Sequence, residues 1–345
     1  MYLIGAEKDS IIIKNSMSIF ITGGTGYIGA HLLKKLIDAG EKVHVLVRSE
    51  KKAIEIKHPS VTIFEGDIMN KESIAHAMQG CSRVYHLAAF AKVWAKDPKI
   101  YFDINVTATV NVLEVAQALG VSKVVVTSTA GVYGASVSDD ITERYVRDFD
   151  FFNEYESSKA ISESRIKDFV IAGLDVSIVS PTRVYGPYLF GEPQSVTQLI
   201  YKYVKGNWRI IPGDGSKIGN YVFIDDVIEG HVLAMEKGQK GHTYILGGEN
   251  HDYDSFFKIL AVESGIHRKM IKLPIGFQML FSRIQLMKIP FGGTPLITPK
   301  WIAKGKYDWK VDATKAKDEL GLKTTSLKDG VKQTLDWVEE ASKKN

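Results

Sequence analysis

The stretch Ile19-Phe20-Ile21-Thr22-Gly23-Gly24-Thr25-Gly26-Tyr27-Ile28-Gly29 constrains this chain more than any other. Three apolar residues with the character of a buried parallel strand run into the glycines. Ala30-His31-Leu32-Leu33-Lys34-Lys35-Leu36-Ile37 then follows with helical apolar spacing. Gly23 permits a tight turn, Gly26 bares the backbone to a pyrophosphate, and Gly29 lets helix and strand pack closely. The helix N-terminus adds amide donors and partial positive charge. Thr25, Tyr27 and Ile28 complete the turn. The expectation is a dinucleotide site over residues 23–29.

Strand-like runs at 42–47, 61–64, 83–87, 123–127 and 175–180 alternate with helical patterns at 28–39, 71–79, 99–119 and 155–172. Such alternation requires crossover connections. It therefore predicts an α/β fold with a Rossmann-type doubly wound parallel sheet, covered by helices on both faces. Ligands in these sheets bind at the carboxyl ends of the strands. A short strand at 221–224, a helix at 226–237 and a strand at 242–246 follow, and 312–341 reads as helical and charged. The predicted organisation is an N-terminal extension (1–16), an NADP-binding domain (17–187 and 220–250), a smaller substrate-binding lobe (188–219 and 251–310) and a C-terminal helical segment (311–345).

At 345 residues, 45% apolar and 24% charged, the chain has the composition of a soluble globular protein. Its net charge of +4 is dispersed and no basic run interleaves with aromatics, so nucleic acid is not an expected partner. The lone Cys81 cannot form an internal disulfide, and the expectation is a buried thiol in a reducing, cytoplasmic setting. No apolar run is long enough for a transmembrane helix. His86 has no second ligand at metal-binding spacing, so it reads as a packed strand-end histidine and no metal site is expected.

The second strand, Val43-His44-Val45-Leu46-Val47, ends in Arg48 rather than in an acid, with Ser49, Lys51 and Lys52 behind it. A carboxylate there would repel a ribose 2′-phosphate, whereas a guanidinium binds one through charge-assisted hydrogen bonds. This favours NADP(H) over NAD(H); the competing reading is a solvated basic loop. Asp67 and Ile68 follow the third strand, beside the expected adenine. Leu87, Ala88 and Ala89 end the fourth, small enough for a ribose and nicotinamide to approach.

Thr127, Ser128 and Thr129 end the fifth strand, and Tyr155-Glu156-Ser157-Ser158-Lys159 opens a helix 26 residues beyond Thr129. Tyr155 and Lys159 share a helical face, so an ammonium can stabilise the phenolate and lower the tyrosine pKa. Tyr155 is then the expected acid or base. Thr129 orients a substrate carbonyl or alcohol, and Lys159 also holds the nicotinamide ribose.

These motifs together resemble an extended short-chain dehydrogenase/reductase of the NAD-dependent epimerase/dehydratase group. Besides the glycine turn they comprise Asp67-Ile68, Asn105-Val106, Ser128-Thr129-Ala130, Tyr155 to Lys159, Pro181-Thr182-Arg183-Val184-Tyr185-Gly186-Pro187 and Tyr221-Val222-Phe223-Ile224-Asp225-Asp226-Val227. The resemblance implies Thr129, Tyr155 and Lys159 as the catalytic trio and Asn105 as a supporting helix residue. It also implies nicotinamide contacts from Pro181 to Val184, and a homodimer packed through 99–119 and 155–172.

Nucleotide-sugar epimerases of that group usually carry Asn where Arg183 stands, and an Arg near Gly219-Asn220-Tyr221 that grips the pyrophosphate. The segments Ile210-Ile211-Pro212-Gly213-Asp214-Gly215 and Tyr244-Ile245-Leu246-Gly247-Gly248-Glu249-Asn250 are similar to the dihydroflavonol reductase-like and 3β-hydroxysteroid dehydrogenase-like branch. The resulting expectation is a ketone or aldehyde reductase acting on a small, apolar carbonyl or alcohol substrate. Two alternatives stay open: an epimerase/dehydratase with tightly bound NAD(P), and a dinucleotide-binding redox sensor without turnover. Phe90, Arg183 and Tyr188 are candidate substrate contacts. Phe151, Phe152, Leu189, Phe190 and Trp208 read either as pocket lining or as packing. Phe277, Leu280, Phe281, Ile284 and Met287 approach helical spacing, and a buried lid helix is expected there in preference to contact with a membrane surface.

Overall fold

A computed structural model describes residues 17–189 and 195–343; the 1–16 extension and Phe190 lie outside the described residues. Among the described residues the strands are β1 (Ser18–Thr22), β2 (Val43–Val47), β3 (Val61–Glu65), β4 (Cys81–His86), β5 (Lys123–Thr127), β6 (Val176–Pro181), β7 (Arg183–Tyr185), β8 (Ile210–Pro212), β9 (Ile218–Phe223), β10 (Thr243–Leu246), β11 (Glu249–Asp252) and β12 (Ile271–Leu273). The helices are α1 (Tyr27–Asp38), α2 (Lys71–Met78), α3 (Lys99–Phe102), α4 (Ala108–Ala118), α5 (Glu154–Ile171), α6 (Ser195–Val204), α7 (Ile224–Lys237), α8 (Tyr253–Ser264), α9 (Ile275–Leu286), α10 (Pro299–Lys304) and α11 (Leu327–Lys343).

Seven strands form one sheet in the order β10-β6-β5-β4-β1-β2-β3. All of its pairings are parallel. The chain reverses its direction of winding at β1, which leaves a crevice between the ends of β1 and β4, where such sheets take a ligand. Parallel strands covered on both faces must be apolar throughout. Accordingly Ile19, Phe20, Ile21, Val43 and Val45 are wholly buried. One face packs against α1 and α7 and merges with Leu327, Val331 and Leu335 of α11, so the C-terminal helix shares the main core. The other face packs Ile74, Ala77 and Met78 of α2, Val112, Leu113 and Ala116 of α4, and Ile166 of α5. Cys81 is buried on that side, and burial pushes its thiol up to about 12.

β9 pairs antiparallel with β11 and parallel with β7, forming a second, three-stranded sheet beyond the end of β6. A third cluster, with Tyr133, Ile141, Trp309 and Val311 as members and Phe149, Phe152 and Tyr307 packed on it, stands beside the start of α5.

Three expectations change. The helix expected over 99–119 is interrupted by a π-turn at Asp103–Thr107, between α3 and α4. The helix expected over 312–341 is a π-turn at Ala316–Leu320 and then α11; Gly321, in the left-handed region at φ 77°, ends the first piece. Thr325 donates from its amide and its hydroxyl to the buried Asp226 carboxylate, which holds the extended link to α11. α9, finally, is not buried by its apolar stripe: Phe277 is 65% and Phe281 48% exposed, whereas Ser282 and Gln285 face the protein.

Candidate active site

The glycine turn has the form its sequence predicts. Gly23 adopts φ 76°, and a Cβ there would lie 2.6 Å from the Ala88 nitrogen. At Gly29 a Cβ would fall 2.1 Å from the Gly23 carbonyl oxygen. The Gly26 amide donates to the Gly23 carbonyl (2.9 Å), and no side chain caps the first turn of α1, which carries no acid. This bare cradle at a helix N-terminus, with Leu87 and Ala88 as its far wall, fits a dinucleotide pyrophosphate. Thr25 and Gly26 are exposed on its rim and Ile28 is partly buried. Tyr27 turns inward, its hydroxyl donating to the Gly186 carbonyl (3.0 Å), so its ring joins the core.

The other dinucleotide candidates lie along the same strand ends. Arg48 is exposed just past β2 and has no hydrogen bond or ion pair among the described residues. Asp67 is exposed after β3 and accepts from the Met69 amide (2.8 Å); Asn111 holds the Ile68 and Met69 carbonyls (3.3 and 3.2 Å). His86 is buried between Thr22 Oγ1 (2.7 Å) and Thr109 Oγ1 (3.0 Å), and burial pushes it down to about 3. It is a neutral strut between strand and helix. No group of acids, histidines or cysteines among the described residues can hold a metal.

The three residues expected to form the catalytic trio come from the turn after β5 and from the first turns of α5. Lys159 is 2% exposed and donates from Nζ to the Thr127 carbonyl (2.6 Å). Desolvation pushes its ammonium down to about 8, against the pull of the nearby Glu163 carboxylate. Tyr155 is half-buried at the start of α5, and burial pushes its phenol up to about 12, against the lowering effect of its polar contact with Thr129. The lowered tyrosine pKa expected from Lys159 is therefore not what this arrangement produces. The ammonium is aimed at a backbone carbonyl, and desolvation of the phenolate dominates.

Asn105 lies at the centre of the π-turn. Wholly buried, it accepts from the Phe90 amide (2.8 Å), and its Nδ2 donates to the Phe90 carbonyl (3.1 Å) and to Ser158 Oγ (2.9 Å). One side chain thus ties the loop after β4 to α5, one residue before Lys159. The Phe90 ring meets the edge of Tyr101 at 4.9 Å. Pro181 ends β6 and Val184 is buried in β7.

Arg183 lies between Tyr221 and Tyr253, donating to their hydroxyls (3.3 and 3.5 Å) with its guanidinium over both rings. It covers Gly219, where a Cβ would meet Nη1 at 2.2 Å. Asn220 is spent on Thr182, Gly248 and Asn250. Tyr188, by contrast, packs on Trp337 of α11 at 4.6 Å, away from the trio's own contacts.

Several residues near the site escaped the sequence reading. Glu156, 1% exposed, accepts from Arg147 (2.9 Å) and Lys304 (2.6 Å) and from the Phe152 amide (3.2 Å). Arg147 in turn holds the Gly131 carbonyl (2.9 Å) after β5. Its signal was Asn153-x-x-Glu156: Asn153 caps α5 by accepting from the Glu156 amide (2.9 Å), the spacing of a capping box. Ser128 donates to Glu163, and burial pushes that carboxyl up. His231 bonds Thr127 Oγ1 (2.8 Å), a tertiary contact with no local sequence signal.

Residues 19–247 match the model of the NAD dependent epimerase/dehydratase family. Sterol demethylase protein B of Methylococcus capsulatus is 31% identical over 335 residues, covering 94% of this chain and 99% of its own. A putative dihydroflavonol 4-reductase of Synechocystis is 28% identical, covering 93% of this chain and 94% of its own. UDP-glucose 4-epimerase of Thermotoga maritima superposes with a TM-score of 0.79 at 26% identity, over 94% of this chain and all of the other. The glycine cradle, the seven-stranded sheet and this agreement together place the chain in the NAD-dependent epimerase/dehydratase family.

Proposed function

We propose that the protein is an NADP(H)-dependent oxidoreductase that interconverts a ketone or aldehyde and its alcohol on a small apolar substrate. The observation that carries this reading is the convergence of Tyr155, Thr129 and Lys159 at the end of β5, two strands from the glycine cradle. Gly23, Thr25, Gly26, Ile28 and Gly29 would hold the cofactor's pyrophosphate, Asp67 and Ile68 its adenine side, and Leu87, Ala88, Ala89, Pro181 and Val184 its nicotinamide side. Arg48, unpaired and charged, suits a 2′-phosphate. When bound, NADPH supplies a hydride equivalent and NADP accepts one.

The chain's own residues manage the proton. Tyr155 Oη carries its hydrogen at neutral pH, because burial holds the phenol near 12. It is therefore poised to donate to a substrate oxygen, the direction of reduction. Thr129 positions that oxygen, and Lys159, anchored on the Thr127 carbonyl, would hold the nicotinamide ribose while it remains an ammonium. Asn105 keeps α5 in register through Ser158. A homodimer through α4 and α5 belongs to the same proposal, supported by the exposed Ile161 and Ile171 on α5.

The test is to supply NADPH or NADH with a panel of ketones and, separately, with UDP-sugars. Ketone-dependent loss of nicotinamide absorbance with a preference for NADPH is expected, and Arg48→Glu should reverse the preference. Interconversion of sugar nucleotides with no net cofactor consumption would overturn the reading in favour of an epimerase.

A further inference from the structure

Between Gly265 and Tyr307 the chain carries eight Lys and Arg residues and no Asp or Glu. The same stretch contains α9, the helix with its apolar side outward. Phe277, Leu280, Phe281, Ile284 and Met287 are 48–69% exposed at helical spacing, and Phe291 beyond the helix is 91% exposed. The polar Ser282 and Gln285 are the residues that α9 buries. A helix oriented this way leaves a contiguous apolar face in water, which soluble surfaces avoid unless something covers it.

The charges say what covers it. Lys269, Arg283, Lys288 and Lys306 are exposed and have no side-chain hydrogen bond or ion pair among the described residues, so free cations stand on α9, directly after it, and in the segments before β12 and after α10. Phe, Leu and Ile set among unpaired Lys and Arg match the acyl boundary and the anionic headgroups of a bilayer surface. A second copy of this chain would bring like charges together and gain no carboxylate from the same segment. We propose that α9 and the turn after it dock this protein on the surface of an anionic phospholipid bilayer, lying in the interface without crossing it. Among the described residues no helix is long and apolar enough to cross a membrane.

The docking face connects to the site. α9 packs on α10, whose Lys300 pairs with Glu154 and whose Lys304 pairs with Glu156, the residues on either side of Tyr155. A membrane-dissolved apolar substrate would thus enter beside the catalytic helix. That consequence rests on the function proposed above, whereas the docking itself does not.

The experiment is sedimentation of the full chain with vesicles, read without any enzymatic assay. Vesicles of equal parts phosphatidylcholine and phosphatidylglycerol should bind at least about tenfold more tightly than pure phosphatidylcholine, and added salt should weaken the binding. Phe277→Ser with Phe281→Ser should abolish binding, Arg283→Glu with Lys288→Glu should remove the preference for anionic lipid, and all four residues are exposed enough for the variants to fold. Equal or absent binding to both vesicle types overturns the proposal. So does concentration-dependent self-association that the Phe277→Ser, Phe281→Ser variant abolishes, since a second copy would then cover the face.

Discussion

β1 with α1, and β12 with α9, are both a strand followed immediately by an apolar helix, yet the fold treats them in opposite ways. β1 is a central strand, and α1 buries Leu32, Leu33 and Leu36 against the sheet. Among the described residues β12 pairs with β8 alone, its Ile271 is 58% exposed, and α9 turns Phe277 and Phe281 outward. The comparison teaches that apolar spacing specifies a helix and its stripe, but what the stripe meets is decided by the sheet or surface it is delivered to. The seven-stranded sheet offers α1 a broad face, whereas the two-stranded pair buries Ile211 of β8 in the main core and leaves Ile271 of β12 exposed.

The sharpest way to break this comparison is to make one substitution in both units. Gly29→Ala forces a Cβ into the Gly23 carbonyl and should cost at least about 3 kcal/mol in chemical denaturation. Leu33→Ala removes a core side chain that is 2% exposed and should cost about 3 kcal/mol. A smaller effect concerns the site alone. Lys159 loses its ammonium as pH rises through about 8 while Tyr155 stays protonated, so ketone reduction should fall by about fivefold between pH 8 and pH 9. Replacement by Lys159→Met should leave a residual rate without that alkaline limb. Gly276→Ala, in the first turn of α9, meets no atom within 4 Å and should instead stabilise by about 0.5 kcal/mol. Phe281→Ala should change stability by less than about 0.5 kcal/mol. A large loss there would show that the α9 stripe is packed after all.

Most of the sheet was legible because strictly parallel strands announce themselves as short apolar runs and the glycine turn fixes where they begin. β5 coincides with its expected range, and α1 and α5 differ from theirs by one residue at each end. What was not legible depended on distant partners. Within the π-turn at 103–107 Asn105 bonds both Phe90 and Ser158, distant partners that no local pattern carries. The break before α11 is held by Asp226, 99 residues away from Thr325. At the site, type and spacing single out Tyr155, Lys159 and Thr129 as candidates, but they do not carry the direction of the Tyr155 shift. It depends on how far burial outweighs the ammonium, and that balance is a property of packing.

Proton donation by Tyr155 is tested most directly by Tyr155→Phe. The variant keeps the ring and the helix, so equilibrium binding of NADPH should persist while kcat for ketone reduction falls by about 10³-fold. Carbonyl-dependent NADPH consumption at the wild-type rate in the Phe variant would contradict it.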